Sequence, residues 1–196
     1  MRIVLPSVFV CLLLLAGTAA ADVLQVFSER QGMSGQFIQR IVTPEGELLE
    51  TSEGQFSLLR PHFMRWQIES PDRQLLIVNE NTLTQIDWDL EVVSSRAMTP
   101  DNRSALDWLM APADELQQTF DITRSSQQAT LIPREQVSAF ERLEIEFEEV
   151  SLQWELSLTD SAGQILIVTL TEDPDVMPAR SDFDAPQTDF EQSRST

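Results

Sequence analysis

The chain has 196 residues, a formal net charge of −19, one cysteine, one histidine and no lysine. So acidic a protein repels nucleic-acid phosphates and the anionic surface of a membrane, and a single thiol excludes a disulfide framework and the usual Cys-rich zinc sites. The length suits one domain with a sizeable core, held together mainly by hydrophobic packing.

Arg2 opens the chain with a positive charge, residues 8–15 form a short apolar run, and Ala19-Ala20-Ala21 supplies a small-residue cleavage site. Residues 1–21 therefore read as a cleaved signal peptide and residues 22–196 as a single exported domain beginning at Asp22. The apolar run is too short to span a bilayer comfortably. Cys11 lies inside it and not at the end of a lipobox, so no acyl anchor is expected. Arg2 and Cys11 leave with the signal, which moves the net charge from −19 to −20 and removes the only thiol.

Residues 22–31 read as a short helix with Val23, Leu24, Val26 and Phe27 on one stripe, stopped by Gly32. Strand signals follow at 35–42, 48–59, 63–69, 74–78, 82–88 and 92–97, punctuated by polar turns such as Thr43-Pro44-Glu45-Gly46 and Ser70-Pro71-Asp72. The period then changes. Residues 103–110, with Leu106, Leu109 and Met110, read as a helix, and 114–118 as a further helical turn. Strands resume at 120–125, 128–133, 143–148, 152–158 and 164–171. The strongest alternation sets Leu143, Ile145 and Phe147 against Glu144, Glu146 and Glu148, a strand half buried and half wet. The tail from Glu172 reads as loop with one edge strand near 181–184. These signals predict an α+β fold: about ten antiparallel strands in a single curved sheet, with helices packed on its concave face because their apolar stripes have nowhere else to go.

Catalytic chemistry finds no foothold. His62 is the only histidine, no Gly-x-Ser-x-Gly elbow accompanies it, and a strand-end position explains it without a triad. Acidic pairs such as Asp87/Asp89 and Asp173/Asp175 lack EF-hand spacing, and the six glycines are scattered singly, so no phosphate loop is formed. No catalytic residue, metal or cofactor is expected. What remains is apolar bulk. Trp66, Trp88, Trp108, Trp154, the phenylalanines and the methionines are plain core or, in part, the lining of a pocket for irregular apolar ligands.

Three features between residues 34 and 87 go further. Ser34-Gly35-Gln36-Phe37-Ile38-Gln39 is a small-x-x-Phe-x-Gln strand after the first helix. Gly54-Gln55-Phe56 leads through Leu58 and Leu59 to Arg60-Pro61 and then Met64-Arg65-Trp66, a Gly-x-Phe-x-x-x-Arg-Pro element followed by x-x-Met-x-Trp. Pro71 precedes Leu75-Leu76-Ile77-Val78, with Asp87 on the next strand. Together they resemble the LolA family of periplasmic lipoprotein carriers, with Met64 where that family commonly has Phe. The resemblance implies an incomplete β-barrel closed by helices over an apolar cavity. It also implies a monomeric periplasmic carrier that takes acylated lipoprotein from an inner-membrane ABC transporter and hands it to an outer-membrane receptor. It assigns Phe37, Phe56, Met64, Trp66 and Ile68 to the cavity and Leu106, Trp108, Leu109 and Met110 to the lid. It makes Arg60 a latch on the carbonyls of the lid helices; an ordinary strand-end arginine paired with an acid is the alternative. Two other functions stay open: a LolA-like carrier of a free lipid or glycolipid in a dedicated export system, and a periplasmic adaptor that binds no lipid.

Overall fold

A computed structural model of the chain describes residues 22–99, 108, 110–135 and 140–190. Helix α1 (Val23–Glu29) starts on Asp22, whose Oδ1 accepts from the Gln25 amide at 3.0 Å and so satisfies one of the orphan donors of the first turn. Strands β1 (Gly32–Val42), β2 (Leu48–Leu59), β3 (Phe63–Ser70), β4 (Gln74–Asn79), β5 (Thr82–Asp87) and β6 (Val92–Ala97) follow. After a crossing segment that contains helix α2 (Ala113–Thr119) come β7 (Phe120–Arg124), β8 (Gln128–Pro133), β9 (Arg142–Glu148), β10 (Gln153–Thr159) and β11 (Ile165–Glu172).

All eleven strands form one antiparallel sheet in the order β6-β5-β4-β3-β2-β1-β11-β10-β9-β8-β7. Its centre is the pairing of β1 with β11, where Phe37 lies opposite Leu170. The chain therefore runs outward along one half to the edge strand β6, crosses to the other edge at β7, and returns to the middle. The two edges are not paired with each other, so the sheet does not close.

The sheet must nevertheless curl, because α1 is tied down at both ends. At its start the Val23 amide donates to Ser125 O in the β7–β8 turn, and Asp22 pairs with Arg124 at 3.3 Å. At its finish the carbonyls of Phe27 and Arg30 accept from Arg60, just past β2. Five strand-to-strand steps separate β8 from β2. On a flat sheet they span about 24 Å, whereas a seven-residue helix is about 10 Å long. Only a sheet bent around the helix brings both anchors within its reach.

Two glycines release the crowding that this bend creates. A Cβ on Gly54 would stand 1.9 Å from Gln67 O of β3, and one on Gly35 would stand 2.0 Å from Thr171 O of β11. A register shift between Glu53 and Gly54 marks the same point as a bulge. With no side chain at Gly54, Phe37 of β1 and Trp66 of β3 meet across β2 and stack at 3.8 Å between centroids and 22° between planes.

The faces of the sheet differ. The inner face is continuously apolar from Val78 on β4 through Leu58, Phe37, Leu170, Leu156, Ile145 and Leu131 to Phe120 on β7, and Val23, Leu24 and Phe27 of α1 join the same cluster. The outer face is largely polar, although Ile38 of β1 and Ile132 of β8 are exposed on it; over β3–β5 it is apolar, and there Phe63, Leu75, Ile77 and Ile86 pack with Phe183 from the C-terminal segment. Covered on both sides, β4 reads as an unbroken apolar run and not an alternating one. The predicted edge strand at 181–184 is instead the 3-10 turn Arg180–Phe183. It finds no free strand edge beside it: it lies across the outer surface of paired strands, with Asn79 Nδ2 donating to Phe183 O at 3.3 Å and Arg180 both ion-paired with Glu80 and over the Phe63 ring. The first helix also ends sooner than predicted. Gly32 opposes Leu59 and already belongs to β1, because ladder hydrogen bonds replace helical ones there.

Gly54→Ala is expected to cost about 2–3 kcal/mol, since the new methyl must push β2 and β3 apart. Urea unfolding followed by tryptophan fluorescence measures this, and an unchanged midpoint would show that the sheet is not tightly coiled there.

Candidate functional site

The inner face gathers the side chains singled out by the sequence. Phe37, Phe56, Met64 and Trp66 are all buried, on three adjacent strands. Phe56 is tilted against Trp66 at 6.3 Å, Met64 opposes Leu58 across the β2–β3 ladder, and Ile68 packs half-buried at the margin. On β3 alternation alone puts Met64, Trp66 and Ile68 on one face, and the cross-strand register adds Phe56, which lies opposite Trp66.

The described residues between β6 and β7 include several that pack on this face. Trp108 meets Phe120 edge-on at 5.3 Å, and Phe120 stacks on Phe140 at 5.9 Å. Met110, Ala111 and Leu116 are buried in the same cluster. Leu106 and Leu109, which the sequence also assigns to the lid, lie outside the described residues, as do residues 1–21. A hollow of ≈ 130 Å³ opens between the β2–β3 turn and Met110, lined in part by His62, Met64, Met98 and Met110. That is room for about four waters at their liquid volume. His62 itself is exposed, and its carbonyl accepts from the Glu80 amide.

Sequence reasoning passed over the second aromatic group of the interior. Trp154 of β10 is fully buried, stacked on Phe147 at 4.1 Å and met edge-on by Phe27 at 5.0 Å. The alternation of β10 signalled an inward Trp154, and the stripe of α1 included Phe27. Nothing in the sequence said that the two would meet, since that depends on where α1 crosses the sheet.

Arg60 joins the covering elements to each other. Nε donates to Arg30 O at 3.1 Å, Nη2 to Phe27 O at 3.3 Å and Nη1 to Met110 O at 2.9 Å. The first two acceptors lie at the C-terminal end of α1, where a cation is also favoured by the helix dipole; the Phe27 carbonyl is shared with the Arg30 amide, which donates to it at 3.3 Å. The third belongs to the crossing segment. The guanidinium lies 5.4 Å from the centre of the Phe27 ring. Loss of water on burial lowers its pKa from the usual arginine value. A planar fork with five donors serves several carbonyls at once, which an ammonium on a single point cannot do as well. Beside it, Arg30 faces the largely buried carboxylate of Glu172 at 3.4 Å, tying the end of α1 to the end of β11. Among the described residues no cluster of three His, Cys, Asp or Glu side chains could hold a metal ion, and no helix is long and apolar enough to cross a membrane.

Replacing Arg60 by Leu is expected to leave the strands protected while amides of α1 and of residues 110–119 exchange faster by an order of magnitude or more, roughly the loss of one or two charge-assisted hydrogen bonds. Arg60→Lys should restore only part of that protection. Hydrogen–deuterium exchange resolved by peptide reads both, and equal exchange in all three proteins would remove Arg60 as the tie.

A family model described as "Outer membrane lipoprotein carrier protein LolA" matches residues 28–183. An outer-membrane lipoprotein carrier protein of Alkalilimnicola ehrlichii is 29% identical over 172 residues, covering 85% of this chain and 80% of that one. One from Xanthomonas oryzae pv. oryzae is 30% identical over 158 residues, covering 76% and 75%. Among solved structures, a LolA superfamily protein from Nitrosomonas europaea is similar at a TM-score of 0.46 and 7% identity, over 83% of this chain and 96% of that one.

Proposed function

This chain belongs to the LolA family, and from that premise we propose that it is a periplasmic carrier that shields the acyl chains of lipoproteins against its inner sheet face and shuttles them from the inner to the outer membrane. The observation that carries the reading is Arg60, one side chain bonded to both segments that cover a continuous apolar face. Residues 1–21 act as the signal that exports it. Asp22, the first residue left, keeps its two tasks of capping α1 and pairing with Arg124.

The energies fit a cover that opens for cargo and closes without it. A hydrogen bond to a charged group is worth about 1.5–3 kcal/mol net, so releasing Arg60 from three carbonyls costs at most several kcal/mol. Each acyl methylene hidden from water contributes about 0.8 kcal/mol, so one long chain supplies on the order of ten. A bound acyl chain therefore outweighs the latch, and the empty protein shuts. Lifting α1 and the crossing segment uncovers Phe37, Phe56, Met64, Trp66 and Ile68 as an apolar cavity, with Leu106, Trp108, Leu109 and Met110 travelling in the lid. The donor is an inner-membrane ABC transporter and the acceptor an outer-membrane receptor. No cofactor or catalytic group enters the cycle.

Incubated with membranes bearing its cognate transporter and ATP, the mature protein is expected to leave with a triacylated lipoprotein in a one-to-one complex. Arg60→Leu should accept that cargo yet pass it on to receptor-bearing membranes several-fold more slowly, because the closed form no longer competes with the loaded one. If no lipoprotein is released into solution, the carrier reading fails. A free lipid adduct in native mass spectra would then point to the lipid carrier, and absence of any apolar ligand to the adaptor.

A further inference from the structure

Among the described residues the inner sheet face is apolar nearly throughout, yet Trp154 carries a hydrogen-bond donor into it. Nε1 of Trp154 is inaccessible to solvent and has no acceptor among the described residues, and the residue as a whole is 0% exposed. A phenylalanine there would stack on Phe147 and meet Phe27 equally well, without a stranded N–H. Buried polar groups in folded proteins are nearly always paired, so an exception asks for a partner that arrives later.

The surroundings of Trp154 say when it arrives. Trp154 lies opposite Leu170, which lies opposite Phe37, so the indole stands in the middle of the apolar face and in line with the Phe37–Trp66 stack. Its cover is Phe27, and the carbonyl of Phe27 is one of the groups that Arg60 holds. Letting go of Arg60 thus frees the residue that lies against Trp154. The donor is hidden when the cover is shut and presented when it is lifted.

An indole N–H donates and cannot accept. Its partner must be an acceptor that enters a dry apolar site. A hydrocarbon tail has none along its length, but an acyl chain carries a carbonyl oxygen at its root, in the ester or amide that links it to its carrier. We propose that Trp154 is a docking point for that carbonyl, setting how deep the acyl chain sits and distinguishing acyl chains from plain alkyl chains. This rests on the carrier reading above and adds a polar contact to what is otherwise shape and greasiness.

The test compares two phosphatidylcholines of equal chain length, one with acyl ester chains and one with alkyl ether chains, as competitors of an apolar fluorescent probe; the zwitterionic headgroup keeps the protein's negative charge out of the comparison. The wild-type protein is expected to bind the ester form about tenfold more tightly, the worth of one hydrogen bond in a dry site. Trp154→Phe should bind the two forms within about twofold of each other, through loss of ester affinity alone, and should unfold at no lower urea concentration because no unpaired donor remains. In the wild type, the Trp154 indole N–H resonance should move downfield with the ester lipid and not with the ether lipid, a readout that needs no variant. An ester preference that survives in Trp154→Phe, or equal binding of both lipids by the wild type, overturns the docking point and leaves the carrier intact. Failure of the wild type to bind either lipid overturns both.

Discussion

A helix of seven residues, fixed at one end by Asp22 and Val23 and at the other by Arg60, sets the shape of the whole sheet. Its two anchors belong to strands that a flat sheet would hold far apart. The curl has further consequences. It needs backbone close enough to exclude a Cβ, hence Gly35 and Gly54, and it turns one sheet face into an inside. It also places aromatic rings from non-adjacent strands against each other, Phe37 on Trp66 being the clearest case. Remove either anchor and the interior loses its cover before it loses its strands, because the β1–β11 pairing at the centre depends on neither.

This division of labour explains why one buried cation is tolerable. Stripping a guanidinium of water is costly unless its donors are occupied, and Arg60 is surrounded by carbonyls that a short helix could not satisfy alone. The pairing contributes only modestly to stability, which suits the opening proposed above. A hydrophobic residue in the same place would hold the helix by packing alone and could not be exchanged for a ligand contact in the same way. The Arg30–Glu172 pair beside it works differently, for it joins the end of α1 to the sheet centre and orients the Arg30 carbonyl that Arg60 uses.

Much of this was legible in the residues. Period-two alternation placed Leu143, Ile145 and Phe147 inward and their glutamates outward, and it did so because one side of that strand meets water. The Arg-Pro element drew attention to Arg60. Less could be read where a residue's partner lies far along the chain. The C-terminal segment looked like loop plus edge strand, since its apolar Phe183 gives no hint that it will be laid on the back of β3–β5. The unbroken run Leu75-Leu76-Ile77-Val78 was the available sign that something covers that side, although it does not say what. Trp154 looked like one more inward residue of an alternating strand, and its unpaired N–H is a property of the packing around it, invisible in composition or spacing.

Charge is distributed as unevenly as polarity. Basic residues are few and all are arginines, and several are engaged in internal ties: Arg30 with Glu172, Arg60 with carbonyls, Arg124 with Asp22 and Arg180 with Glu80. The outward carboxylates of β9 and β10, Glu146, Glu148 and Glu155 among them, are exposed. A surface so weighted is repelled by anionic headgroups over a Debye length of about 8–10 Å. On the carrier reading proposed above, an acyl chain held inside such a shell meets this repulsion whenever the protein approaches an anionic lipid surface. On that reading, delivery calls for a protein partner that brings compensating positive charge to the rim.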